Sequence, residues 1–280
     1  MPSQAEKAAA FQALHQRDGA FVLANAWDPG SARMMAGLGF EAIATTSAGY
    51  AFSRGDLDRV GVTSRDAALA HCRELVAAVE LPVSADLEDG FGAEPERVAE
   101  TVRLAAEAGL VGCTIEDVTS DRDAPIFPFE AAVARIVAAV AAARSLPFPF
   151  MLTARAENFL HNRPDLEDTI ARLKAFEAAG ADVLYAPGLP DLDAIRQVCA
   201  SVGKPVNVVA GIRPKGLTVA ALAEAGVSRI SFGSVLSRRA YGAAIDAARL
   251  VVEGGSFADL EQAASFASIE ALLKAGATAR

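Results

Sequence analysis

Eight short β-branched or apolar runs recur along the chain, each followed by a stretch with helical spacing. They are FVLANAWD (21–28), AIATTSAG (42–49), PVSADLED (82–89), GCTIEDV (112–118), FMLTARAEN (150–158), DVLYAPG (182–188), PVNVVAG (205–211) and RISFGSV (229–235). Between them lie segments such as EPERVAETVRLAAEAG and DLEDTIARLKAFEAAG, whose terminal Ala-Gly suits the end of a helix. Parallel strands cannot be joined by a tight turn and need a crossover, so this alternation specifies a parallel sheet. Eight units predict closure into an α/β fold of the (β/α)8 TIM barrel type, which takes about 250 residues. An open doubly wound sheet is the alternative, but no GxGxxG follows the first run.

No Pro-, Gly- or Ser-rich linker divides the chain, so residues 1–280 read as a single barrel domain with surplus helices at both ends. Residues 3–18 predict a helix ahead of the first strand, placed to cap the barrel floor. Residues 256–276 predict one or two further helices after the eighth unit. Their apolar residues (Phe257, Leu260, Phe266, Ile269, Leu272, Leu273) need a surface, on this chain or on a neighbour. A homo-oligomer, dimer or tetramer, is therefore expected.

A net charge of −9 argues against a nucleic-acid partner, which would need clustered Lys and Arg. No run of about 18 apolar residues suggests a membrane span, and the N-terminal residues lack a secretory pattern. Cys72, Cys113 and Cys199 are widely spaced and without CxxC, so neither a disulfide framework nor a thiolate metal site is expected. A cytoplasmic location fits these features best.

Barrel chemistry gathers at the carboxyl ends of the strands, where side chains alternate between the interior and the helix layer. In the third run Val83, Ala85 and Leu87 suit the helix layer, which sends Ser84, Asp86 and Glu88 inward or to the mouth. The same parity turns Cys113 and Ile115 outward and Thr114 and Glu116 inward. In the fifth run Thr153, Arg155 and Glu157 face in. Asp86, Glu88, Glu116 and Glu157 thus meet at one mouth, with Arg155 the obvious fixed cation. Crowded carboxylates cannot all stay ionised without compensation. A divalent cation meets that need, and hard oxygen ligands select Mg2+, with Mn2+ as a substitute, over zinc. The competing reading places solvated acids at a strand-to-turn boundary or a helix start.

These residues resemble the isocitrate lyase/phosphoenolpyruvate mutase superfamily. The likeness runs from NAWDPGSARMMAGLGFEAIATTSAGYA through SADLEDGFG, GCTIEDV and LTARAENF. It implies a (β/α)8 barrel, often with a C-terminal helix exchanged between subunits, and Mg2+-dependent chemistry beside a 2-oxo acid through an enolate. Position by position it implies Asp86 as the direct metal ligand, Glu88 as the second acid and Glu116 as a third acting through water. It implies Arg155 as the arginine that holds a substrate carboxylate or phosphonate. Ser47, Ala48 and Gly49 match the turn after the second strand whose N–H groups cradle the substrate carboxylate. Asp58 matches a catalytic acid on a mobile loop, with Asp56 close enough to confuse the register.

The departures bear on the reaction. Isocitrate and methylisocitrate lyases carry KKCGH after the fourth strand, whereas this chain reads IEDVTSDRDAPIFPFE, without cysteine, histidine or lysine. Cys113 cannot substitute, because it faces away from the mouth. The expected function is a Mg2+-dependent lyase or decarboxylase of a small 2-oxo or 2-hydroxy acid, for example oxaloacetate. Decarboxylation needs only the polarising core, whereas cleavage of a 2-hydroxy dicarboxylate needs a base, for which Asp58, Glu157 and Tyr50 are candidates. The alternatives are a 2-oxo acid binding protein without turnover and phosphonomutase- or phosphonopyruvate hydrolase-like P–C chemistry. A Schiff-base aldolase would need a strand-end lysine, and only Lys215 comes near. A phosphate cradle at AGI and FGS competes with glycines that merely permit tight turns.

Overall fold

In the computed structural model, which describes residues 2–58, 60–212 and 214–277, the eight runs form eight parallel strands. They are β1 (Phe21–Ala26), β2 (Ile43–Thr45), β3 (Val83–Asp86), β4 (Gly112–Glu116), β5 (Met151–Arg155), β6 (Val183–Tyr185), β7 (Val206–Val209) and β8 (Arg229–Ser231). Each pairs with its sequence neighbour and β8 pairs with β1, which closes a (β/α)8 barrel. The helices are α1 (Gln4–Leu14), α2 (Pro29–Gly37), α3 (Ser47–Ser53), α4 (Arg65–Ala78), α5 (Pro95–Glu107), α6 (Phe129–Arg144), α7 (Leu166–Ala178), α8 (Leu192–Ser201), α9 (Val219–Glu224), α10 (Val235–Gly254) and α11 (Phe266–Ala275).

Capping chemistry fixes where strands give way to helices. Asp28, Thr46, Ser64, Asp165, Asp191 and Thr218 each accept a first-turn N–H with their side chains, ahead of α2, α3, α4, α7, α8 and α9. The second run is shorter as a strand than the sequence suggests. Thr46 caps α3 directly after β2, so Ser47, Ala48 and Gly49 form the first turn of a helix rather than a strand end.

The main core lies between sheet and helices, with Ile43, Leu75, Leu87, Cys113, Ile115 and Leu152 fully buried or nearly so. A second cluster closes the barrel floor: Ala8 and Phe11 of α1 meet Phe21, Leu23, Val111, Met151 and Val183. Complete burial of Phe11 stabilises this plug by about 1.5–3 kcal/mol. Gln4 Nε2 donates to the Ala106 and Leu110 carbonyls (2.7 and 2.9 Å), tying α1 to the foot of β4.

At the other end of the chain α11 lies on α2. A Cβ added at Gly37 would overlap the Leu272 carbonyl, and one at Gly276 the Arg33 carbonyl, so both glycines permit the close approach. By contrast, the 20-residue α10 buries only Ser237 and Ala247. Ile245, Leu250, Val252, Phe257, Leu260 and Phe266, spread from α10 to the start of α11, are all exposed. No helix of the described residues is long and apolar enough to cross a membrane.

Candidate active site

The register places Asp86 beside Thr114, and Glu116, Arg155 and Tyr185 in one row across β4, β5 and β6. Asp86, Thr114, Arg155 and Tyr185 line a cavity of about 40 Å3 inside the barrel, with Asn207 and Arg229 among its other walls. A larger hollow of about 560 Å3 lies at the opposite end, around His15, Cys199 and Lys204, and holds none of the mouth carboxylates. The charged row, not the volume, marks the candidate site.

Asp86 Oδ2 accepts from the Ser47 N–H (3.1 Å) and hydroxyl (2.8 Å), and the Asp86 N–H donates to Thr45 Oγ1 (2.9 Å). Its Oδ1 receives only a long contact from the Glu88 N–H, 3.4 Å. Glu88 reaches the mouth by a different route from strand parity. The strand ends at Asp86, and Leu87–Gly90 form a turn closed by the Gly90 N–H on the Leu87 carbonyl (2.8 Å). Glu88 takes a left-handed φ of +50°, uncommon for a residue with a Cβ. Arg135 of α6 pins the segment that follows: Nη1 donates to the Gly92 and Ala93 carbonyls (2.6 and 2.9 Å) and Nη2 to the Asp89 carbonyl.

Arg155 is held on both sides, by Glu116 through Nη1 (2.7 Å) and by Glu157 through Nε, while its guanidinium lies 5.0 Å above the centre of the Tyr185 ring. Glu157 is held in turn, because its N–H donates to Asp117 Oδ1 (2.8 Å), and Arg172 of α7 clamps Asp117 Oδ2 at 2.9 Å. Asp58, on the solvent-facing segment after α3, lies within electrostatic reach of Asp86, Arg155 and Glu157. Asp56 instead faces Arg54 at 3.6 Å, so of the two neighbouring aspartates Asp58 is the one directed to the mouth.

Burial sets the charge balance. It pushes Glu88 up to about 8, with Asp86, Asp89 and Asp58 adding to the shift. It also raises Glu116 well above the usual carboxylate range against the pull of Arg155. Desolvation and then Asp86 raise Asp58. Burial works against the charge on Arg155, but Glu116 and Glu157 outweigh it and keep the guanidinium firmly protonated. Burial lifts Tyr185 to about 12 although Arg155 opposes the shift.

Among the described residues no group of three or more His, Cys, Asp or Glu side chains could by itself hold a metal ion. Asp86, Glu88 and Glu116 are thus no all-protein cage. Magnesium does not require one, since it usually takes one or two carboxylates and keeps water. The donor set fits such an ion: Asp86 Oδ1 is nearly uncommitted, and Glu88 has no side-chain hydrogen bond among the described residues.

Of the three α3 residues, Ser47 commits its N–H to Asp86 and Gly49 commits its own to Thr46 Oγ1 (3.2 Å). That leaves the Ala48 N–H as the uncommitted donor of the set. Gly49 is required by packing, since a Cβ there would stand 2.6 Å from Thr46 Cγ2 and 3.0 Å from Trp27 Cβ. Cys113 is buried between sheet and helices, away from the mouth. Tyr185, Asn207 and Arg229 were missed by sequence reasoning, although parity applied to β6, β7 and β8 would have found them. Arg229, wholly inside the barrel, donates to Asn207 Oδ1 (2.8 Å) and Thr153 Oγ1 (3.0 Å) and lies 3.3 Å from His15 Nε2.

A closed parallel barrel with acids and an arginine at the carboxyl ends of adjacent strands has its candidate site where the chemistry of TIM-barrel enzymes gathers. The phosphoenolpyruvate phosphomutase family model matches residues 11–252. The chain belongs to that family, within the isocitrate lyase/phosphoenolpyruvate mutase superfamily of Mg2+-dependent carbon–carbon lyases and mutases. A solved structure from Burkholderia cenocepacia J2315, described as a lyase/mutase, is 56% identical with a TM-score of 0.92, and the match covers 95% of each chain. An uncharacterized protein of Mycobacterium tuberculosis (strain ATCC 25618 / H37Rv) is 35% identical over 94% of this chain and 95% of its own. Oxaloacetate decarboxylase of Paraburkholderia xenovorans (strain LB400) is 31% identical over 68% of this chain and 64% of its own.

Proposed function

We propose that this protein is a divalent-metal-dependent carbon–carbon lyase or decarboxylase that acts on a small 2-oxo or 2-hydroxy acid through an enolate, with oxaloacetate as the leading substrate. The observation that carries the reading is the meeting of acids and one arginine at the barrel mouth: Asp86 and Arg155 line one interior cavity, Glu116 pairs with Arg155 at 2.7 Å, and Glu88 lies within electrostatic reach of Asp86. Asp86 would hold Mg2+ or Mn2+ directly, with Glu88 and Glu116 acting through water. When bound, the cation supplies Lewis-acid polarisation of the 2-oxo group.

The chain's own groups do the rest. Arg155, fixed by Glu116 and Glu157, presents its guanidinium to the substrate carboxylate and to the charge that develops as the bond at C3 breaks. The Ala48 N–H, with Ser47 and Gly49 setting the turn, orients the other end of the acid. Asp58, its carboxyl raised by desolvation, lies within electrostatic reach of the mouth, where it would serve as the base should the substrate be a 2-hydroxy acid. The 117–128 segment offers no cysteine, histidine or lysine, which favours decarboxylation, because carbon dioxide leaves without a dedicated base. The exposed apolar side chains of α10 and the start of α11 support a homo-oligomer, in which a second copy would cover them.

A panel of oxaloacetate, a 2-hydroxy tricarboxylate and phosphonopyruvate with purified protein, with and without Mg2+, tests the reading. Metal-dependent carbon–carbon cleavage that is lost in Asp86→Ala and, for the 2-hydroxy tricarboxylate, depressed in Asp58→Asn supports it. Release of inorganic phosphate would move the assignment to P–C chemistry, and binding without product would make the protein a 2-oxo acid sensor.

A further inference from the structure

Cleavage at C3 leaves an enolate whose carbon must be protonated, and the segment after β4 carries no residue suited to that task. We infer that Tyr185 is the proton donor, delivering its phenolic hydrogen to C3 of the enolate before the product leaves. The inference rests on the proposed lyase reading and names a group that the resemblance does not supply.

Three observations carry it. Tyr185 lines the same cavity as Asp86 and Arg155, and its hydroxyl has no hydrogen-bond partner among the described residues although the residue is only 6% exposed. A buried phenol ordinarily finds a partner, so one left open toward a cavity is set apart for whatever enters. Second, the Arg155 guanidinium lies over the ring, 5.0 Å from its centre, so the phenol stands beside the arginine that would bind the substrate. Third, the buried guanidinium of Arg229 lies below, close enough to Tyr185 to interact electrostatically. It faces only neutral partners (Asn207, Thr153 and His15) and no carboxylate at ion-pair distance among the described residues.

The chemistry balances. The enolate π electrons form the new C3–H bond as the phenolic O–H bond breaks, and the carbonyl re-forms at C2. The resulting phenolate sits between two cations and regains a proton from water once the product departs. Tyr185 keeps its proton up to about 12, so at neutral pH it is a loaded acid, while an enolate carbon is a far stronger base than a phenolate. The hydroxyls of Thr114 and Ser231, also in the lining, are much weaker acids.

The test is Tyr185→Phe with oxaloacetate and Mg2+, following carbon dioxide release and keto-pyruvate formation separately. Wild-type protein should release both together. In the variant, carbon dioxide release should largely persist while ketonisation on the protein slows by about 10²-fold, so pyruvate lags and free enol is detected. Unchanged affinity for oxalate, a planar enolate mimic, in the presence of Mg2+ shows that the variant's site is intact. Keto-pyruvate without lag in Tyr185→Phe, or an equal lag in wild type, overturns the assignment. Absence of carbon dioxide release from wild type defeats the lyase reading itself, and the proton-donor role with it.

Discussion

Replacing Arg172 with alanine should destabilise the fold and loosen the site, although Arg172 touches no candidate ligand. Its Nη1 sits 2.9 Å from Asp117 Oδ2, and the two side chains are 7% and 2% exposed. Nη1 also reaches the Phe127 carbonyl at 2.9 Å. Breaking a buried pair by removing one partner typically costs about 3–5 kcal/mol, because the other charge is left without compensation. For 280 residues the melting entropy is about 0.6 kcal/mol/K, so Tm should fall by about 5–8 °C. The deficit should depend on pH in a defined direction. Burial already holds Asp117 up at about 6, above its unfolded value. The folded state therefore favours the protonated acid, a contribution present at low pH and lost as pH rises through about 6. Losing Arg172 raises Asp117 further, so the gap to wild type should narrow as pH falls through this range, and Asp117→Asn in the Arg172→Ala background should recover part of it. Thermal unfolding monitored by circular dichroism across pH reads all of this. A loss no larger than the ~1 kcal/mol of a surface pair, or a gap indifferent to pH, would refute the reasoning.

Gly49→Ala should cost about 1–3 kcal/mol through the overlap with Thr46 and Trp27, and weaken binding of 2-oxo acids in calorimetry, since the overlap distorts the first turn of α3. Arg155→Lys, which keeps the charge but loses the fork gripped by Glu116 and Glu157, should lower kcat/KM by about 10²–10³-fold in a decarboxylation assay. Glu88 is protonated at neutral pH, with its pKa at about 8 before any cation arrives. Mg2+ binding should accordingly release protons and tighten as pH rises through that value, measurable by calorimetry in buffers of different ionisation enthalpy.

The eight strands and their parallel order were legible because each run is bounded by its own helix signals, and residues 3–18 were legible as a helix ahead of them, which the structure seats on the floor through Ala8 and Phe11. Strand parity also oriented Asp86 and Arg155, which lie in regular strands. It failed as a reason for Glu88, which lies past the end of β3 in a left-handed turn that no period-2 pattern describes. Ser47–Gly49 were expected in the turn after the second strand, and the Thr46 cap makes them the first turn of α3. The two arginine clamps were not legible. Arg135 and Arg172 sit on helices, where an arginine reads as a solvated face, and only the tertiary packing turns them toward the Asp89 carbonyl and Asp117. The extension was expected to need a surface, and α11 finds part of it on α2 through the contact at Gly37, which a helix-stop reading of glycine does not reveal.

The most direct measurement is Mn2+ titration followed by electron paramagnetic resonance, in wild type and Asp86→Ala, with and without oxalate. One ion per chain, held more tightly when oxalate is present and lost in Asp86→Ala, is the predicted result. Wild-type protein that leaves the free Mn2+ signal undiminished, or an Asp86→Ala variant that binds the ion as well as wild type, would contradict a metal-assisted site among these carboxylates.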